Sequence, residues 1–108
     1  MKEIKAFIKP HKLSDVTLAL HKLEGMTGMS VSNVKGFGRL TLRKADQVMD
    51  FFPYVRIEII CRNELLDRIV EIIKKTAQTG LRGDGRIFVS DVDQSIRIST
   101  GERENGLK

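Results

Sequence analysis

Two glycine-rich turns hold the residues best suited to chemistry. The first is Gly36-Phe37-Gly38-Arg39 and the second runs from Thr79 through Gly80, Leu81, Arg82, Gly83, Asp84 and Gly85 to Arg86. Glycines let backbone N–H groups turn toward an anion without a Cβ in the way. Arg39, Arg82 and Arg86 add guanidinium groups, whose planar fork matches phosphate oxygens. Together the two turns read as a phosphate cradle. Either one alone is also a common turn signal. Neither has the spacing of a Rossmann or Walker A loop.

Other reactive residue types form no comparable group. His11 and His21 are too far apart, in a loop and on a helix, to suggest a metal site. No Ser/His/Asp or Cys/His arrangement stands out, so the sequence argues against an enzyme. Glu58 lies mid-strand, where pairing with Arg56 or a neighbouring chain is the simpler reading. The lone Cys61 sits in an apolar run and reads as a buried, inert thiol. One cysteine excludes an intrachain disulfide and suits a reducing compartment. Arg82-Gly83-Asp84 also spells an adhesion triplet, which a chain without an export signal has no use for.

The elements that must position these turns follow from hydrophobic spacing. Ile4, Ala6 and Ile8 alternate as a strand that Pro10 ends. Ser14 is a candidate helix N-cap, with Val16, Ala19, Leu20 and Leu23 on one stripe and Gly25 as the stop. Met29, Val31 and Val34 mark a second strand running to Gly36, with a bulge expected near Asn33. Val55, Ile57, Ile59 and Cys61 then alternate as a third strand. Asn63 is the expected cap of a second helix bearing Leu66, Ile69, Val70, Ile73 and Ala77, stopped by Gly80. Ile87 to Val89 begins a fourth strand, and Ile96 to Ile98 a short fifth. From Gly101 onward the polar tail is expected to be mobile.

Strand, helix, strand, given twice, is the ferredoxin-like split βαβ order. The predicted class is α+β: βαββαβ with a short C-terminal strand. Both helices then cover one sheet face, and Phe7, Ile60 and Phe88 point to the other. A 108-residue chain with two apolar sheet faces needs a partner, and a closed ring of copies is the simplest one. Hydrophobic residues at 41% and charged ones at 31% fit a folded globular chain. The net charge of +5 suits phosphates or an acidic partner. The basic residues are scattered, so no nucleic-acid interface is expected. No apolar run is long enough to span a bilayer, and the N-terminal apolar stretch is too short for a signal peptide. The expected location is cytoplasmic.

With these residues in view, the chain resembles the PII signal-transduction family. Thr79 to Val89 resembles its C-terminal signature, and Met1 to Pro10 with Lys12-Leu13 its N-terminus. Val34 to Arg39 resembles the strand leading into the family's large T-loop. Asp50 to Pro53 and Val55 to Ile59 resemble the returning strand, and Arg97 to Glu102 the C-terminal phosphate-contacting segment. The resemblance covers nearly the whole chain, in order. It implies one PII-like domain over 1–108, with a T-loop at about 38–52, a B-loop at about 79–88 and a C-terminal segment at about 96–108. It further implies a homotrimer that binds ADP or ATP between subunits as an effector, with no catalytic cofactor. By position, Gly36, Phe37, Gly38 and Arg39 line one wall. Gly83, Asp84, Gly85 and Arg86 hold the phosphates, and Arg97 reaches in from the adjacent subunit.

Several positions depart from the family pattern. The T-loop is short, and the only tyrosine is Tyr54, so the uridylylated motif is absent. Leu40 replaces a glutamine that coordinates magnesium and 2-oxoglutarate, and leucine cannot ligate a hard cation. Tyr54 replaces a lysine that pairs with that ligand. These departures argue against 2-oxoglutarate sensing and uridylylation. Ser99 replaces a second phosphate-contacting arginine. Losing such a charged hydrogen bond costs about 1.5–3 kcal/mol and favours ADP or AMP over ATP. The segments Lys9 to Ser14, Thr17 to Ser30 and Ile98 to Arg103 also resemble a subgroup linked to heavy-metal efflux pumps. That resemblance implies a membrane transporter as the regulated partner, with Arg43 and Lys44 touching it. The competing reading is a trimeric module that responds to a metal or small anion and has lost nucleotide sensing.

Overall fold

The structure is a computed structural model that describes residues 1–26, 28–36 and 52–105. The site candidates Phe37, Gly38 and Arg39, together with Leu40, Arg43, Lys44 and nearly all of the expected T-loop, lie outside the described residues.

Strand β1 (Lys2–Ile8) leads to helix α1 (Leu13–His21), then β2 (Ser30–Gly36). Strand β3 (Phe52–Cys61) leads to α2 (Leu66–Ala77), then β4 (Gly85–Asp91). The four strands form one sheet in the order β2-β3-β1-β4, with every neighbouring pair antiparallel. The expected double βαβ order is therefore present. Its reason is visible in the burial pattern. Ile4, Ala6 and Ile8 on β1 and Val55, Ile57, Ile59 and Cys61 on β3 alternate into the core. Val16 and Leu20 on α1, and Ile69, Ile73 and Ala77 on α2, close over them from one side. Each fully buried isoleucine contributes roughly 1.5–3 kcal/mol of transfer free energy.

Phe7, Ile60 and Phe88 lie on the face away from the helices, as the alternation requires. Ile60 is opposite Glu3, and Phe88 is opposite Lys5. Phe7 and Phe88 meet edge to face, their ring centroids 6.1 Å apart. Ile60 and Phe88 remain 42% and 51% exposed, which leaves this face open in the single chain.

Three local expectations need correction. Neither Ser14 nor Asn63 caps a helix. Each helix is entered through a 3-10 turn, Pro10–Lys12 or Asn63–Leu65. The extended residues Lys9 and Arg62 stand before these turns, and their carbonyls accept the N–H groups of Lys12 and Leu65, both at 3.0 Å. Proline suits the first of these turns because its fixed φ and missing donor cost nothing there. No bulge occurs at Asn33, because β2 pairs with β3 without a break from Ser30 to Gly36. Val31 falls on the helix side opposite Ile57 and Val34 on the open side opposite Tyr54. An edge strand that is half exposed on both faces does not enforce alternation.

The C-terminal region also differs from expectation. The short strand is Gln94–Ile96 (β5), and it pairs with Arg103–Asn105 (β6), inside the tail expected to be mobile. Arg97 and Ile98 belong to the connecting turn. Arg97 donates its N–H to the Glu102 carbonyl at 2.8 Å and accepts from Gly101 N–H at 2.7 Å. Ile98 is 98% exposed, so its apolar character marks no core position here. No helix among the described residues is long and apolar enough to cross a membrane.

Candidate functional site

The turn between α2 and β4 is held by its own acidic residue. Asp84 accepts the Thr79 backbone N–H at 2.8 Å and the Thr79 hydroxyl. Lys9, just past the end of β1, places its Nζ 3.2 Å from the Asp84 carboxylate and 3.3 Å from Thr79 Oγ1. Thr79 Oγ1 also accepts the Leu81 N–H at 3.1 Å. The Thr79 hydroxyl, then its N–H, then Lys9 favour the ionised form, and they hold the Asp84 carboxyl at about 2 against an opposing effect of burial. The Asp84 carboxylate is thus an internal brace of the turn. It is engaged by Thr79 and Lys9 rather than facing outward alone.

Glycine is required at Gly85. Its φ is +107°, and a Cβ there would lie 1.7 Å from the Phe7 carbonyl oxygen across the β1–β4 ladder. Gly83 also has positive φ, at +80°. The guanidinium groups of Arg82 and Arg86 make no ion pair among the described residues. An open groove of about 410 Å³ runs beside the turn, with Val70, Ile73, Ala77 and Ile87 on its apolar wall and Asp84 and Arg86 along one side.

Tyr54 joins the two glycine regions. Its hydroxyl donates to the Gly83 carbonyl at 3.2 Å. Its ring lies against Gly36, where a Cβ would come within 2.6 and 2.8 Å of ring carbons. Gly36 and the Gly83-Asp84-Gly85-Arg86 turn are therefore gathered at one end of the sheet. Phe37, Gly38 and Arg39 follow Gly36 in the chain but lie outside the described residues.

Arg97 is not part of this gathering within one chain. It borders a separate cavity of about 650 Å³ with Met1, Ile60, Cys61 and Arg62, beside the opposite end of β1. Six residue steps along β1, from Lys2 to Ile8, correspond to roughly 20 Å. A subunit whose Arg97 met the glycine turn would have to be a different one.

Sequence reasoning missed Lys9 and gave Tyr54 no structural task. Lys9 had one available signal, its place directly before Pro10 at the end of a strand. For Tyr54 there was none, since its partners are distant in sequence. The remaining candidates behave as expected. His11 and His21 are exposed. Arg56 Nε and Glu58 Oε1 pair at 3.7 Å. Burial pushes the Cys61 thiol up, against a smaller lowering by the N-terminal ammonium, so it is a poor nucleophile. Among the described residues no group of three or more His, Cys, Asp or Glu could hold a metal ion.

Comparison with known proteins places the chain. Residues 1–102 match the family model described as nitrogen regulatory protein P-II. The nitrogen regulatory protein P-II of Klebsiella oxytoca is 50% identical over 110 aligned residues, which cover 97% of each chain. Nitrogen regulatory protein P-II 1 of Escherichia coli K12 shows the same identity and coverage. The P-II protein of Rhodospirillum rubrum is 47% identical, covering 95% of this chain and 96% of its own. These relatives are named as regulatory proteins and not as enzymes, which agrees with the lack of a catalytic group in the sequence. The chain is a member of the nitrogen regulatory P-II family, a regulatory protein and not an enzyme.

Proposed function

We propose that this protein is a nucleotide-responsive regulator that binds ADP or ATP, and AMP, in clefts between the subunits of a homotrimer. The phosphates are held by Gly83, Gly85 and Arg86, in a turn whose shape Asp84 maintains. Gly36, Phe37, Gly38 and Arg39 supply the facing wall, and Arg97 enters from the adjacent subunit. The observation that carries this reading is the braced glycine turn beside two guanidinium groups that make no ion pair among the described residues. Such a turn presents donors without reorganising, so little ordering cost opposes an anion. The open sheet face with Phe7, Ile60 and Phe88 supports association. Bound nucleotide acts by favouring one arrangement of the 38–52 segment, which docks on a protein target. That target is a membrane transporter, and the protein works in the cytoplasm.

Calorimetry with ADP, ATP and AMP, alongside sedimentation, tests this. Binding of ADP by a trimer is expected, and Arg86→Ala should weaken it roughly tenfold or more. A monomer would remove the composite cleft. Heat with copper or zinc ions but with no nucleotide would transfer the reading to a metal-responsive module.

A further inference from the structure

We propose that Tyr54 is a positioning residue, which sets the Gly83 peptide of the phosphate turn and ties that setting to the end of β2. This rests on the nucleotide reading above and deepens it. Asp84, Thr79 and Lys9 fix one side of the turn through the carboxylate. They leave the preceding peptide to be set by something else. Gly83 has no Cβ to restrict its ψ, so the peptide between Gly83 and Asp84 has more than one accessible orientation. The Tyr54 hydroxyl, 3.2 Å from the Gly83 carbonyl, selects one of them. In a planar trans peptide the carbonyl and the following N–H point in opposite directions. Anchoring the Gly83 oxygen to Tyr54 therefore aims the Asp84 N–H away from the ring, as a donor for an anion.

The other end of Tyr54 gives this setting its link to β2. The ring rests on the bare α-carbon of Gly36, and no Cβ fits between them. A shift of β2 at Gly36 must move the ring, and the ring carries the hydroxyl. Lys9 and Asp84 have no comparable connection to β2 among the described residues. Tyr54 is thus a rigid strut between the strand that enters the 38–52 segment and the peptide that faces the phosphate.

Tyr54→Phe keeps the ring and removes only the strut's hydrogen bond. In the ligand-free protein, the Asp84 amide resonance should shift and its exchange rate change as the peptide reorients, while exchange in β1 and β3 stays as it was. ADP binding should weaken about three- to tenfold, the range for one neutral hydrogen bond. Gly36→Ala displaces the ring and should give the same two changes. Introduced into Tyr54→Phe, it should add nothing further at Asp84. If Tyr54 only fills space, Tyr54→Phe leaves both Asp84 exchange and ADP affinity unaltered, and the proposal is overturned. If the unmodified protein binds no ADP, the nucleotide reading fails. The Asp84 exchange rate then decides the strut by itself.

Discussion

The turn from Thr79 to Gly85 and the turn from Arg97 to Glu102 use the same parts: a threonine, an acidic residue and a glycine with positive φ. Thr79 and Asp84 bond to each other, as do Thr100 and Glu102, where the hydroxyl and carboxylate are 3.2 Å apart. The difference lies in what surrounds them. The first turn is fastened to the sheet by Lys9, by Tyr54 and by the contact of Gly85 with the Phe7 backbone. The second bonds within its own hairpin, through Arg97, Gly101, Glu102 and the Arg103–Gln94 pair. One turn is preorganised by the fold. The other is a self-contained hairpin that offers Arg97 outward. A site built from both would need the fixed turn from one chain and the free hairpin from another.

Substitutions can break this comparison, and the largest effect belongs to the glycines. Gly85→Ala should destabilise the protein by about 3 kcal/mol or more in urea unfolding, since it adds a clash with backbone to a strained φ. Gly101→Ala meets nothing within 4 Å and carries only the left-handed penalty, about 1–2 kcal/mol. Equal losses would mean that the first turn is no more firmly docked than the second.

The acidic residues should differ next. Asp84→Asn should cost about 2 kcal/mol through its bonds to Thr79 and Lys9. Its effect should also depend on pH. The folded carboxyl titrates at about 2, below the ordinary value of 3.8. Its stabilisation is therefore complete above the ordinary value and is lost as pH falls through the folded one. Urea midpoints of the two proteins should converge between about pH 4 and pH 2. Glu102→Gln should change stability by less than about 0.5 kcal/mol. The smallest effect is expected for Ile98→Ser, at a side chain 98% exposed, where the unfolding midpoint should not move.

The fold was legible where burial enforces a period. Strand β3 and helix α2 each have one face wholly in the core, so Val55 to Cys61 and Ile69 to Ala77 carry clean spacing. The helix entries were not legible at Ser14 and Asn63. There the backbone makes a 3-10 turn first, and good capping residues end up past the true start. Ile98 misled because an exposed isoleucine in a hairpin looks the same in sequence as one in a strand. The glycines marked the turn between α2 and β4, where Gly80, Gly83 and Gly85 all take positive φ. Lys9 and Tyr54 stayed hidden because their partners are brought near only by the order of strands in the sheet.

That strand order carries one more consequence. In the main sheet β1 pairs with β3 and β4, and β2 pairs with β3, so every ladder unites a strand before residue 37 with one after residue 51. The two halves of the polypeptide are laced together rather than placed side by side. Severing the chain once between them would leave all three ladders intact, and neither fragment holds a strand pair of this sheet without the other except through that lacing. Each half of the polypeptide therefore depends on the other for every rung of the main sheet among the described residues.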